Sequence, residues 1–128
     1  MRTTIDALAQ LRAQGPPFTM VTAYDYTSAQ IVDRSSVAAI LVGDSLGMVV
    51  QGNDSTLPVT LDEMIYHTRS VVRGSQRALI VADLPFGSTV VPDDAVRAAV
   101  RLMAEGGCQS VKLEGGAPVT ATIRRMVD

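Results

Sequence analysis

Four short apolar runs in this chain stop at an acidic residue. Phe18–Tyr24 leads to Asp25, Ala39–Gly43 to Asp44, Ala78–Ala82 to Asp83, and Ser110–Leu113 to Glu114. The runs have strand length and are rich in Val, Ile or Leu, and helical patterns lie between them. Strands of parallel βα sheets are buried on both faces and read as nearly continuous apolar stretches. Ligands bind beyond the carboxyl ends of such strands, so the four acids are expected on one rim. Several carboxylates and no thiol favour a hard cation such as Mg²⁺. Side chains alternate along a strand, which puts Lys112 and Glu114 on the same side. A lysine in the core is costly unless paired, so a polar rim is the easier place for Lys112, where it could hold a substrate carboxylate. An acid at a strand end is more often a helix cap than a ligand, and that is the reading we take for Asp25.

The elements that must position these residues follow from periodicity and punctuation. Thr3 or Thr4 can cap a first helix to about Gln14, with Ile5, Leu8 and Leu11 on one face, and Gly15-Pro16-Pro17 stops it. After the first strand, Thr27 to Arg34 reads as a short helix. From Gly43 to Pro58 the chain carries Gly47, Gly52, Asn53, Asp54 and Ser55 and reads as a long loop. Thr60-Leu61-Asp62-Glu63 is a capping box opening a helix to about Arg73, with Met64, Thr68 and Val71 or Val72 as its stripe. Pro92 reads as a first helical residue followed by Asp93 and Asp94, with Ala95, Ala99, Leu102 and Met103 inward and Gly106-Gly107 as the stop. The fourth strand covers about Gln109 to Leu113, and a last helix starts near Pro118. Met20, Met64 and Met103 read as core fillers, Cys108 as a small packed residue, and His67 as structural or surface.

The order is one helix and then four βα units, an α/β arrangement with parallel strands. Four units make half of an eightfold βα barrel. An open flavodoxin-like sheet is the competing architecture and normally has five strands. The 128 residues suffice for one domain with a core, which we place at 1–128 as a single partial barrel cut short on its C-terminal side. The formal net charge of −2 gives no basic footprint for nucleic acid. No apolar run approaches the roughly 18–20 residues of a membrane span, and Arg2 has no apolar signal core behind it. One cysteine forms no internal disulfide and suits a reducing cytoplasm, the compartment we expect. At 47% the apolar content is high for a small domain, which buried parallel strands and surface meant for a partner would both explain.

Longer motifs carry a resemblance. Thr22-Ala23-Tyr24-Asp25-Tyr26, Val42 to Met48, Gln51 to Thr60, Tyr66-His67-Thr68, Ala82 to Phe86 and Val111 to Gly116 together resemble the ketopantoate hydroxymethyltransferase family, in order and across essentially the whole chain. The resemblance implies an eightfold barrel related to the phosphoenolpyruvate/pyruvate enzymes. It implies transfer of a hydroxymethyl group from 5,10-methylenetetrahydrofolate to 3-methyl-2-oxobutanoate, giving 2-dehydropantoate for pantothenate biosynthesis. It also implies Mg²⁺ held by Asp44 and Asp83 directly and by Glu114 through water, with Asp44, Ser45, Asp83 and Lys112 contacting the oxoacid. The family's proton-abstracting glutamate lies in the second half of its barrel and has no counterpart in these residues. Weak or absent turnover by this chain alone is therefore expected. Family members form homo-oligomers, often decamers. Two other classes stay open at this point: a receiver-type signalling domain with an acidic Mg²⁺ site, and a non-catalytic assembly fragment. A carbon–carbon lyase of the same superfamily is a sibling reading.

Overall fold

The Thr4 hydroxyl accepts a hydrogen bond from the Ala7 amide and so opens α1, Ile5–Gln14. This is a computed structural model, and it describes residues 1–128. The expected α1 is present, but none of its residues is buried, and Ile5 and Leu11 are exposed. The apolar face read from the sequence therefore has no core beneath it.

Then come β1, Met20–Thr22; α2, Tyr26–Arg34; and β2, Ala39–Val42. A single-turn helix, α3, spans Leu46–Val49, followed by α4, Leu61–Gly74; β3, Leu79–Asp83; and α5, Pro92–Arg101. The helix continues from α5 as a wide π turn over Leu102–Gly106, and β4, Ser110–Lys112, follows. A 3-10 turn, Ala117–Val119, leads into α6, Thr120–Val127. Helix starts follow the local chemistry. Thr60 and Glu63 cap each other reciprocally at α4, and Pro92 opens α5 with Asp93 and Asp94 in its first turn. Gly107 ends the π turn at φ +84°, a backbone that other residues rarely adopt.

The strands form one parallel sheet in the order β1-β2-β3-β4. That order decides between the two architectures. A flavodoxin-like sheet has β1 inside, between β2 and β3, whereas a βα barrel adds each strand beside the last. The sheet is a four-unit barrel segment, and the receiver-type reading loses its scaffold.

Burial separates the two faces of the sheet. Ile40, Val42, Ile80 and Ala82 join Ala29, Met64, Ile65, Val71, Ala98 and Leu102 in one core between sheet and helices. On the opposite face the register aligns Thr22, Leu41, Val81 and Ser110. None of these four is fully buried. Met20 belongs to that same face and is exposed. Met103, the other misjudged methionine, lies beyond α5 in the cleft beside β4 and is also exposed. Met64 is fully buried as expected.

The stretch from Gly43 to Pro58 corrects the sequence reading, because it contains α3. Leu46 and Gly47 are fully or nearly buried there and pin the turn. Gly47 and Val49 are weak helix formers, so packing of Leu46 supplies what propensity does not.

Candidate active site

Asp83 is the last residue of β3, and its carboxylate is almost completely buried, with 3% of the residue exposed. The register sets it beside Lys112 on β4. Lys112 Nζ donates to Asp83 Oδ1 at 2.8 Å and Oδ2 at 2.7 Å, and to Glu114 Oε1 at 2.9 Å. Lys112 and Glu114 thus share a side, as their two-residue spacing predicts, although β4 itself ends at Lys112. The Asp44 backbone amide donates to Asp83 Oδ2 at 3.3 Å. Burial pushes the Asp83 carboxyl above the usual carboxylate range, and the Lys112 ammonium and the Asp44 amide oppose it. For Lys112, burial works against the charge, but Asp83 and Glu114 outweigh it and hold the ammonium above its ordinary value. Glu114 is exposed, and Lys112 lowers its pKa.

Asp44, Asp83 and Glu114 line one cavity of about 300 Å³ together with Thr56, Pro85 and Phe86. Three of the four strand-end acids therefore meet on one rim. The fourth does not. Asp25 is the N-cap of α2, accepting from the Ser28 amide at 2.7 Å, and that bond lowers its pKa. This is the cap role expected for it. A larger apolar cleft of about 530 Å³ runs along the free edge of β4, lined by Met103, Val111, Leu113, Ile123 and Met126. It has no acid in its lining and is the gap beside an unpaired strand.

Ser45 follows Asp44, and its hydroxyl lies 2.8 Å from the Tyr24 hydroxyl. A Cβ added at Gly43 would stand 2.8 Å from Ser45 Oγ, so glycine there leaves room for the serine side chain. His67 Nδ1 meets the Tyr24 carbonyl at 2.7 Å, which bears out a structural role for that histidine. Cys108 is buried, and burial pushes its thiol up to about 11, the opposite of nucleophilic activation. The sequence reading did not single out Tyr24. Its only signal was a place in the motif just before Asp25.

The donor chemistry suits a hard divalent cation, since all three acids on the rim offer carboxylate oxygens. As they stand, no three acids, histidines or cysteines close into a metal-binding group. Lys112 bridges Asp83 and Glu114, so an ion taken up by Asp83 must displace part of that pairing. The residues fit the ion in type and in convergence on a common cavity.

The model of the ketopantoate hydroxymethyltransferase family matches residues 2–128. The chain belongs to that family. A 3-methyl-2-oxobutanoate hydroxymethyltransferase of Chloroflexus aggregans is 61% identical over 127 residues, which are 99% of this chain and 46% of the relative. One of the same name from Magnetococcus marinus is 53% identical over 128 residues, covering 99% of this chain and 48% of the relative. The chain spans about half the length of the curated relatives it matches. Among solved structures, 2,3-dimethylmalate lyase, a PEP mutase/isocitrate lyase superfamily member, superposes with a TM-score of 0.68 at 19% identity. The aligned region is 99% of this chain and 48% of the lyase. Phosphoenolpyruvate phosphomutase from Streptomyces platensis subsp. rosaceus gives 0.63 at 20% identity, over 83% of this chain and 37% of that one. At such identities the likeness concerns the fold alone. It agrees with the barrel segment deduced from strand order.

Proposed function

We propose that residues 1–128 carry the metal- and oxoacid-binding half of the site that transfers a hydroxymethyl group from 5,10-methylenetetrahydrofolate to 3-methyl-2-oxobutanoate. The observation that carries this reading is the buried Asp83 carboxylate paired with Lys112 on a rim shared with Asp44 and Glu114, in a chain of this family. Asp44 and Asp83 would hold Mg²⁺ directly, with Glu114 as the third acid. The ion, when bound, would polarise the keto group of the oxoacid and lower the cost of removing its C3 proton.

The chain's own residues supply the rest. Lys112 provides the positive charge that meets the substrate carboxylate. Its contact with Glu114 is the easier one to exchange, because Glu114 is exposed and an exposed ion pair is weak. Ser45 offers a hydroxyl donor at the same end of the sheet. The cavity lies at the lower end of the range that small ligands occupy. No residue in 1–128 is assigned the removal of the C3 proton, and we expect weak or no turnover by this chain alone. Homo-oligomerisation belongs to the same proposal. No helix is long and apolar enough to cross a membrane.

Calorimetric titration of 3-methyl-2-oxobutanoate in the presence of Mg²⁺ tests the reading. Asp44→Ala and Asp83→Ala should each weaken Mg²⁺-dependent oxoacid binding by at least about tenfold, as loss of metal-site groups does elsewhere. Asp25→Ala should change it little. Equal losses at all three positions would undo the assignment; ready conversion of both substrates by the 128-residue chain would overturn the expectation of weak or no turnover.

A further inference from the structure

Tyr24 and Ser45 come from successive βα units, 21 residues apart, yet their hydroxyls lie 2.8 Å from each other. The contact joins the ends of β1 and β2, which are neighbours in the sheet. The backbone at Tyr24 is held from several directions. Ala23 donates to Leu41 O at 3.1 Å, continuing the pairing of the two strands. The Tyr24 carbonyl takes the 2.7 Å hydrogen bond from His67 of α4. A carbonyl only accepts, so His67 Nδ1 carries the proton. The Tyr24 amide faces Ser28 Oγ at 3.4 Å. Gly43 leaves the space that Ser45 Oγ occupies, since a Cβ there would stand only 2.8 Å from it.

We infer that Tyr24 is a positioning residue for Ser45, donating its phenolic hydrogen to Ser45 Oγ so that the serine's own hydrogen is directed at the substrate. A serine hydroxyl has one hydrogen and two lone pairs. If Ser45 spends its hydrogen on Tyr24, none is left for an anionic oxoacid. If Tyr24 donates, Ser45 becomes a donor of fixed direction, and two hydroxyls in series polarise each other. A bound anion near Ser45 selects the second arrangement. The role rests on the assignment of Ser45 to the oxoacid site made above. It extends that site to β1, the strand whose own terminal acid, Asp25, is committed to capping α2.

The test is a double-mutant cycle on the 128-residue chain, reading the dissociation constant of 3-methyl-2-oxobutanoate with Mg²⁺ present and that of Mg²⁺ alone. Thermal melts of each variant report whether the fold is kept, and Tyr24→Phe retains the ring. Tyr24→Phe should weaken oxoacid binding by about three- to tenfold, the worth of one hydrogen bond, and leave Mg²⁺ binding unchanged. In the Ser45→Ala background the same change should add nothing. If Ser45→Ala weakens binding and Tyr24→Phe does not, the positioning role is wrong and the site assignment stands. Equal losses from Tyr24→Phe in both backgrounds would make it a packing residue and overturn the inference. If Ser45→Ala has no effect, or the unaltered chain binds no oxoacid, the site assignment fails and the inference falls with it.

Discussion

The chemistry of the rim depends on a few side chains whose partners are fixed by backbone register. Asp83 and Lys112 were legible in the sequence because Asp83 follows an apolar strand run and Lys112 lies within one, each in a distinctive motif, and the two-residue spacing puts Lys112 and Glu114 on one side. The Tyr24–Ser45 contact was not legible, because it depends on β1 lying directly beside β2, which no local pattern states. Asp25 was legible as well: as a strand-end acid it resembled the other three, but a cap was the expected role, and its bond from the Ser28 amide makes it one. Two substitutions separate these roles. Lys112→Ala should weaken oxoacid binding more than Mg²⁺ binding, because it removes a cation and no carboxylate; the two titrations performed side by side decide it. Gly43→Ala puts a methyl group 2.8 Å from Ser45 Oγ, too close for the serine to keep its place. It should lower oxoacid affinity by at least about threefold while thermal unfolding shows an intact fold. An unchanged affinity would mean that the placement of Ser45 is immaterial to binding.

Caps and stops were the most readable parts of the elements, since a capping box, a first-turn proline or a helix-ending glycine acts within a few residues. What could not be read is the support that arrives from far along the chain. Asp33, near the end of α2, is buried and accepts from Ser75 Oγ at 2.7 Å and from the amides of Gln76, Arg77 and Ala78. It ties α2 to the turn that feeds β3. Arg2 reaches the same turn, donating to Ala78 O at 2.8 Å and to Ser75 O. Burial pushes the Asp33 carboxyl up, but the four donors outweigh it and hold the group at about 2. An unfolded aspartate titrates near about 3.9, so the unfolded chain binds the proton more readily. Asp33 therefore contributes stability in full above about pH 5, and it is lost as pH falls toward 2. The contribution is on the order of 2 kcal/mol. Urea melts from pH 7 to pH 2 should show a fall in stability that Asp33→Asn largely abolishes, the variant being less stable at pH 7. A parallel fall in both proteins would assign the acid sensitivity elsewhere. Thr68 makes the complementary case. It is fully buried on α4 with no partner for its hydroxyl. Thr68→Val replaces that oxygen with a methyl group and should raise stability by about 1 kcal/mol, measured in the same melts.

At the scale of the molecule, the two faces of the sheet have different fates. The face toward the helices is a closed core. The opposite face presents Leu41 and Val81 half-buried and Met20 exposed, and β1 and β4 are each paired on one side only. The two central runs, Ala39–Gly43 and Ala78–Ala82, read as apolar on both faces. The sequence therefore could not say which face a four-unit segment would leave uncovered; strand order and curvature decide that. An unpaired edge beside exposed apolar surface favours association with another chain. The 128-residue chain should therefore sediment as a concentration-dependent mixture of monomer and larger species between about 1 and 100 µM, a range reached by weak apolar interfaces. The association should persist in high salt, because no charge pair drives it. Leu41→Lys with Val81→Lys places two like charges on the uncovered face and should shift the mixture to monomer while helical content is retained. Ile40→Lys, one residue away on the core face, should instead unfold the chain, since a lysine there is buried without a partner. Strictly monomeric behaviour of the unaltered chain across that range would show that the exposed face is too small or too curved to bind a second copy.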